Sequence, residues 1–357
     1  MTCTLDIYTA YLISSTGQTS ATGLSRLYDG AISHDQVTRF LSNSYLDSKD
    51  LWVQAKPLIR AAQQQQSGED FAVLIIDDSI LEKAHTDQNA MITTHWDHSE
   101  QRFVQGLNFV SLLYQAGALS LPIAAVLIEK TVSQYNAKRG KYELKSPFTK
   151  NEYLRQMLTV AQQQVIYRYL LADSCGSPPG YASAENMNFV LGLNRHFIFA
   201  LETSRTVALS PEDRDAGKFQ ALHSLTFPDK QPLKVYLRSV KQAVLVVRQV
   251  FTASADRNKD GSQGILYLVS TGPPGGDTDL TYEQMTTIYK RRWKVEQYHK
   301  SLKQNTSMGK SPTKTPDTQA NHFYASMLAY IKLEALKLKC SIGRGRPDIF
   351  NSRPNSI

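Results

Sequence analysis

The chain has almost no cysteine. Cys3, Cys175 and Cys340 are the only three in 357 residues, and they lie far apart. An odd, scattered set gives neither a disulfide framework nor the paired spacing of a zinc site. It fits a reducing compartment, so a cytoplasmic location is expected. Long apolar runs are also missing. The most apolar region, Phe103 to Ile128, is broken by Gln105, Asn108, Gln115 and Pro122, which excludes a membrane span there. The N-terminus lacks a basic-then-apolar leader pattern, and no internal repeat is visible. Negative charge is in deficit: 32 acidic against 40 basic residues leave a formal charge of +8. A basic balance points to a polyanionic partner. The 41% hydrophobic content is enough for a real core, and the length allows one large domain or two to three small ones.

Glycine and proline are absent from one informative stretch, Tyr289 to Lys303, whose good helix formers predict a helix. Tyr289, Arg292, Glu296 and Lys303 follow one another at spacings of 3, 4 and 7. At about 100° per residue they fall within an arc of roughly 60°. Ile288, Val295 and Leu302 form an apolar stripe beside them that would seat the helix on a core. A carboxylate among so many cations suits a divalent metal with phosphate nearby. A solvated, salt-bridged helix has a similar composition.

The spacing Tyr-x2-Arg-x3-Glu-x6-Lys resembles the Y-R-E-K signature of bacterial insertion-sequence transposases, the insertion-sequence-four family of DDE transposases. The resemblance implies DNA transposition by strand cleavage and strand transfer. It makes Glu296 the last of three metal-binding carboxylates. It makes Tyr289, Arg292 and Lys303 contacts to DNA near the transposon end. It also requires two aspartates earlier in the chain.

Residues 1–66 read as four short helices, Asp6–Ser14, Ser20–Tyr28, Ser33–Leu41 and Leu51–Gln65, with Ser33 as a cap. They fit a helical packing module, or a helix-turn-helix that contacts DNA ends. Phe71 to Ile76 is a buried strand ending in Asp77-Asp78-Ser79. Buried carboxylates at a strand end need a partner or a metal. Relatives resemble this chain in having Asp followed by Ser or Thr, which selects Asp78 over Asp77. Residues 82–102 read as a polar loop near the active site, and His95-x-x-His98 lacks a third soft ligand for a metal. A hairpin (Gly106–Tyr114, Leu121–Glu129), a basic segment, a helix (Lys150–Gln164) and a strand (Val165–Leu171) ending near Asp173 follow.

Strand with Asp, hairpin, helix and strand with Asp is the element order of the ribonuclease H-like fold, in which Asp78 and Asp173 converge. The expected class is therefore α/β, a ribonuclease H-like catalytic core (67–200 and 281–340) with a β-rich insertion (201–280) and an N-terminal helical domain (1–66). The polar Gly/Pro/Arg-rich end (341–357) reads as a disordered tail. It differs in texture from the helix that relatives continue there, as a truncated or frame-shifted end would. Two Gly/Pro-rich turns, after Asp173 and at 271–276, also depart from the family.

Asp78, Asp173 and Glu296 would hold two Mg²⁺ ions, with Mn²⁺ able to substitute, for phosphoryl transfer. The partners implied by the resemblance are double-stranded DNA, as terminal inverted repeats and target, and a second copy of the chain on paired ends. A metal-dependent nuclease of the same fold and an inactive DNA-binding relic are the competing readings.

Overall fold

The computed structural model describes residues 1–65, 70–97, 100–173, 180–251, 264–272 and 280–343. In chain order these form α1 (Leu5–Ser14), α2 (Ala21–Leu27), α3 (His34–Asn43), α4 (Ser48–Gln65), β1 (Val73–Glu82), β2 (Ile92–Asp97), β3 (Arg102–Ala116), β4 (Leu119–Leu127), β5 (Val132–Asn136), β6 (Lys141–Lys145), α5 (Lys150–Gln164), β7 (Tyr169–Ala172), α6 (Ala184–Gly192) and β8 (His196–Leu201). Then come β9 (Thr206–Val207), α7 (Pro211–Asp215), β10 (Gln220–Ala221), β11 (Leu233–Val235), β12 (Val244–Phe251), β13 (Gly264–Ser270), α8 (Tyr282–Lys290), α9 (Trp293–Asn305) and α10 (Pro316–Gly343). No helix of the described residues is long and apolar enough to cross a membrane. Cys3 and Cys340 are free thiols; Cys175 lies outside the described residues.

Two compact units emerge. One comprises residues 1–65, 118–123 and 299 onward; the other comprises the remainder up to residue 298. In the first, side-chain caps set the helix starts: Thr4, Ser20 and Ser33 each accept a backbone N–H, and Ser33 with Gln36 completes a capping box. The apolar faces of α1 to α3 bury Tyr8, Leu12, Leu24, Val37 and Leu41 with Ala325 and Ala329 of α10. Two buried polar groups of α10 are satisfied within this core. His322 Nδ1 lies 2.7 Å from the Tyr8 hydroxyl, and Asn321 Nδ2 donates to the Leu41 and Ser44 carbonyls.

The second unit is built on a nine-stranded sheet in the order β11-β12-β13-β8-β7-β1-β3-β2, with β4 also paired to β3. β1 runs antiparallel to β3 and parallel to β7, and β7 runs parallel to β8. The path β4-β3-β1-β7-β8 is the ribonuclease H-like arrangement, as the element order predicts. Every residue from Val73 to Ile76 is buried, as both-face coverage of a central strand demands. Gly106 lets β3 close on β1, since a Cβ there would stand 2.3 Å from the Leu81 carbonyl oxygen. Gly117 takes φ 51° in the tight turn to β4.

Three differences from the sequence expectation bear on the site. First, β1 does not end at the aspartates; it continues to Glu82 because β3 pairs with it along that whole length. Second, residues 82–102 are not all loop, since they contain β2, paired with β3. Third, β11 to β13 join the free edge of β8 and so extend the central sheet. The basic segment after β4 forms a two-stranded ribbon of β5 and β6. The Gly/Pro turn after Asp173 and the chain beyond residue 343 lie outside the described residues. So does most of the second turn, with only Thr271 and Gly272 described.

Candidate active site

The parallel register of β1 and β7 decides which aspartate meets which. Ile75 pairs with Leu171, and partners in a parallel ladder project to the same face. Two residues further on, Asp77 comes level with Asp173, just past the last residue of β7. Asp78, one residue along, points to the opposite face. The side-chain contacts agree. Asp78 Oδ2 accepts from Lys150 Nζ at 2.5 Å, and Asp78 Oδ1 accepts from the Tyr181 hydroxyl at 3.1 Å. The expectation that Asp78 joins Asp173 and Glu296 therefore does not match this geometry. The Asp-Ser pattern favours Asp78, whereas strand alternation puts Asp77 on the face of Asp173.

Asp77 instead feels Arg292 and Asp173. Its pKa is pushed up to about 7, by burial first and then by the Asp78 charge, with Arg292 opposing and Asp173 adding. Arg292 holds the other two carboxylates. Its Nη2 lies 3.3 Å from Asp173 Oδ2 and 2.8 Å from Glu296 Oε1. The Tyr289 ring lies under the same guanidinium, with its centroid 5.8 Å away. The Tyr289 hydroxyl donates to the Ala172 carbonyl at 3.4 Å, next to Asp173. Burial opposes the Arg292 charge, but Tyr289, Asp173, Glu296 and Asp77 outweigh it and raise the pKa.

The stretch from Tyr289 to Lys303 is not one continuous helix. α8 ends at Lys290, and α9 begins at Trp293. Through the junction, the N–H groups of Arg291, Arg292, Lys294 and Val295 each donate to the carbonyl three residues back, a 3₁₀-type tightening. The two adjacent arginines go separate ways there. Arg291 donates to the Gln115 side chain and carbonyl and to the Phe71 carbonyl, while Arg292 turns to the carboxylates. Lys303 is exposed, seven residues beyond Glu296 on α9.

On the Asp78 face, α5 starts at a capping box of Thr149 and Glu152, which sets Lys150 in its first turn. Asn186 of α6 is fully buried and receives Arg155 Nη1 at 2.8 Å. It donates to Asn151 Oδ1 and to the Tyr181 carbonyl, tying Tyr181 to both helices. Burial, then the charges of Asp78 and Asp77, keeps the Tyr181 hydroxyl protonated. Sequence reasoning missed Lys150, Asn186 and Arg291. Tyr181 follows the Gly/Pro-rich segment after Asp173 in the sequence.

A hard divalent cation fits the chemistry of Asp77, Asp173 and Glu296. All three offer oxygen ligands, and Asp77, whose pKa is raised by burial first and then by the Asp78 charge, would be relieved by a nearby cation. As the side chains stand, with Arg292 among them, no group of three or more His, Cys, Asp or Glu is gathered closely enough to hold a metal among the described residues. His95 is not a ligand candidate. It is buried in β2, its Nε2 lies 2.9 Å from Thr93 Oγ1, and burial with Lys130 and Lys150 lowers its pKa to about 4. His98 lies outside the described residues.

The chain matches the DDE superfamily endonuclease family over residues 1–228 and the transposase DDE domain over residues 150–332. Among solved structures, it is similar to the Mos1 transposase paired-end complex with left transposon end, at 13% identity over 55% of this chain and 58% of that one, with a TM-score of 0.19. The mariner Mos1 paired end complex with Mg gives 11% identity, 54% and 57% coverage and a TM-score of 0.17. The chain thus spans less than two thirds of the length of these structures. No curated protein matches it.

Proposed function

This chain belongs to the DDE superfamily of endonucleases and carries a transposase DDE domain, and we propose that it cuts and rejoins DNA by metal-dependent phosphoryl transfer, as an insertion-sequence transposase. Asp77, Asp173 and Glu296 are the proposed metal-holding carboxylates, with Asp77 in the place first expected for Asp78. The observation that supports this most is the single Arg292 nitrogen shared by Asp173 and Glu296, beside an Asp77 that senses both Arg292 and Asp173.

Bound Mg²⁺ or Mn²⁺ would supply an activated attacking oxygen and a neutralised leaving oxygen. The protein side chains do the rest. Arg292 balances the carboxylate charge through Nη2, and its guanidinium would also offer a donor to a phosphate oxygen. Tyr289 is a positioning residue: its ring supports Arg292, and its hydroxyl fixes the backbone beside Asp173. Lys303 contributes an exposed point charge toward the DNA backbone. Lys150 and Tyr181 hold Asp78 on the other face and so fix the pitch of β1 at Asp77. Transposon ends with inverted repeats, target DNA and a homodimer on paired ends complete the proposal.

The test is cleavage of a duplex carrying the element's end, with and without Mg²⁺. Metal-dependent nicking followed by joining to a target duplex supports transposition. Nicking without joining assigns a nuclease of the same fold.

A further inference from the structure

β5 and β6 form a ribbon that pairs with no other strand of the described residues. Its root is fixed at the carboxylate end of the central sheet. Before the ribbon, the Ile128 N–H donates to the Asn108 carbonyl at 2.8 Å, and Asn108 is level with Ile80 of β1, just past Asp78. After it, Ser146 Oγ lies 3.3 Å from the Tyr153 hydroxyl of α5, and Lys150 of the same helix holds Asp78. The ribbon therefore leaves the sheet beside the carboxylates.

Partners across an antiparallel pair share a face. Tyr135 opposite Tyr142 and Ser133 opposite Leu144 make one face. The two rings lie 5.2 Å apart between centroids. Tyr135 is 55% exposed, Leu144 56% and Tyr142 72%. The other face carries Val132, Lys141 and Lys145, and these too are exposed. A two-stranded hairpin on its own is marginally stable in water, and contiguous exposed apolar side chains mark an interaction site.

Charge selects the partner. Residues 132–145 carry Lys138, Arg139, Lys141 and Lys145 against a single acid, Glu143. That acid is already satisfied. Arg139 Nη1 lies 3.0 Å and Lys145 Nζ 3.4 Å from its oxygens, and Asn136 Nδ2 donates to it at 3.0 Å. Lys138 and Lys141 are exposed, with no ion pair among the described residues. A protein laid over the tyrosines would enclose these cations, and interface cores are depleted of charge. A polyanion uses both features: Lys and Arg neutralise phosphates, and Tyr hydroxyls donate to phosphate oxygens. The dimensions also fit. Paired strands stand about 4.8 Å apart, and a DNA major groove about 12 Å wide admits a two-stranded ribbon. We propose that the β5–β6 ribbon lies in the major groove of the duplex beside the cut, with the Tyr135–Tyr142 face in the groove and Lys138 and Lys141 on flanking phosphates. This rests on the DNA-cutting reading above.

The full chain is mixed with an end-containing duplex in a chelator, so that binding is read without cleavage. Anisotropy over a salt series gives affinity. Dimethyl sulfate, which methylates guanine N7 in the major groove, gives groove occupancy. The double variant Lys138→Gln with Lys141→Gln should bind at least about tenfold more weakly, and its slope of log affinity against log salt should flatten by about two. The double variant Tyr135→Ser with Tyr142→Ser should lose guanine protection beside the cut. All four positions are exposed, and an unchanged melting temperature confirms folding. Unchanged affinity, slope and protection in both double variants, with the unmodified chain bound, overturn the ribbon proposal and leave the DNA-cutting reading standing. No binding by the unmodified chain overturns both. A DNA-free dimer that dissociates in the tyrosine variant, with guanine protection retained, assigns the face to a second copy of the chain and overturns the proposal.

Discussion

Arg292 and Asp173 meet at 3.3 Å across the end of β7. One member follows the shortest strand of the parallel set, and the other lies in the junction between two helices. This contact requires both the early end of β7 at Ala172 and the break in the signature stretch at Arg291–Arg292. It predicts that Arg292 is irreplaceable by another cation. Arg292→Lys keeps a charge but cannot reach Asp173 and Glu296 while presenting a fork to phosphate. Both Arg292→Lys and Arg292→Ala should lower single-turnover cleavage by about 10²-fold or more, as removal of a transition-state donor does in other enzymes. Near-normal rates in Arg292→Lys would reduce its role to charge balance.

Asp77 predicts a pH effect on stability in the metal-free protein. Its pKa rises from 3.8 to about 7 on folding, so between those values the unfolded chain has released a proton that the folded chain still holds. Folding is therefore progressively disfavoured as pH rises through that window, and the penalty is complete above it. Asp77→Asn removes the penalty. Without metal, the variant should be more stable than the unmodified chain at pH 8, by roughly 1–3 kcal/mol, and the gap should close near pH 4. Thermal unfolding at several pH values in a chelator checks this. A gap that grows toward low pH would show that the aspartate is stabilised, not strained, by folding.

Much of this architecture is legible in the sequence. Ser33, the run Val73 to Ile76 and the periodicity of Lys150 to Gln164 each carry a local signal strong enough to fix an element. The three-residue-back bonding at Arg291–Arg292 was not legible. Nothing in a Gly- and Pro-free stretch announces a break that tertiary partners impose, here Gln115 and Phe71 on one arginine and two carboxylates on the next. The facing of Asp77 and Asp78 was hidden for a related reason. Both follow the same apolar run, and only the register against β7 says which shares a face with Asp173.

Tyr289 should behave as a support. Tyr289→Phe loses one long hydrogen bond to Ala172 but keeps the ring beneath Arg292, so cleavage should fall less than tenfold. Tyr289→Ala removes the ring and should approach the loss seen in Arg292→Ala. DNA binding separates this from a direct phosphate contact. The affinity at fixed salt should stay unchanged in Tyr289→Phe, and it should fall if the hydroxyl donates to a phosphate oxygen.

Asp77, with Asp173 and Glu296, is proposed to carry a metal-dependent DNA cut. Asp78 provides the internal control, being its neighbour in sequence and bonded to Lys150 and Tyr181. The decisive measurement is the Mg²⁺-dependent cleavage rate of an end-containing duplex by Asp77→Asn and Asp78→Asn, compared at equal folded fraction. Asp77→Asn should show no detectable cleavage. Asp78→Asn should cleave measurably, with a melting temperature lowered by the loss of the Lys150 ion pair while its amide oxygen still accepts from Tyr181. Cleavage retained by Asp77→Asn and abolished in a fully folded Asp78→Asn would overturn the assignment of Asp77.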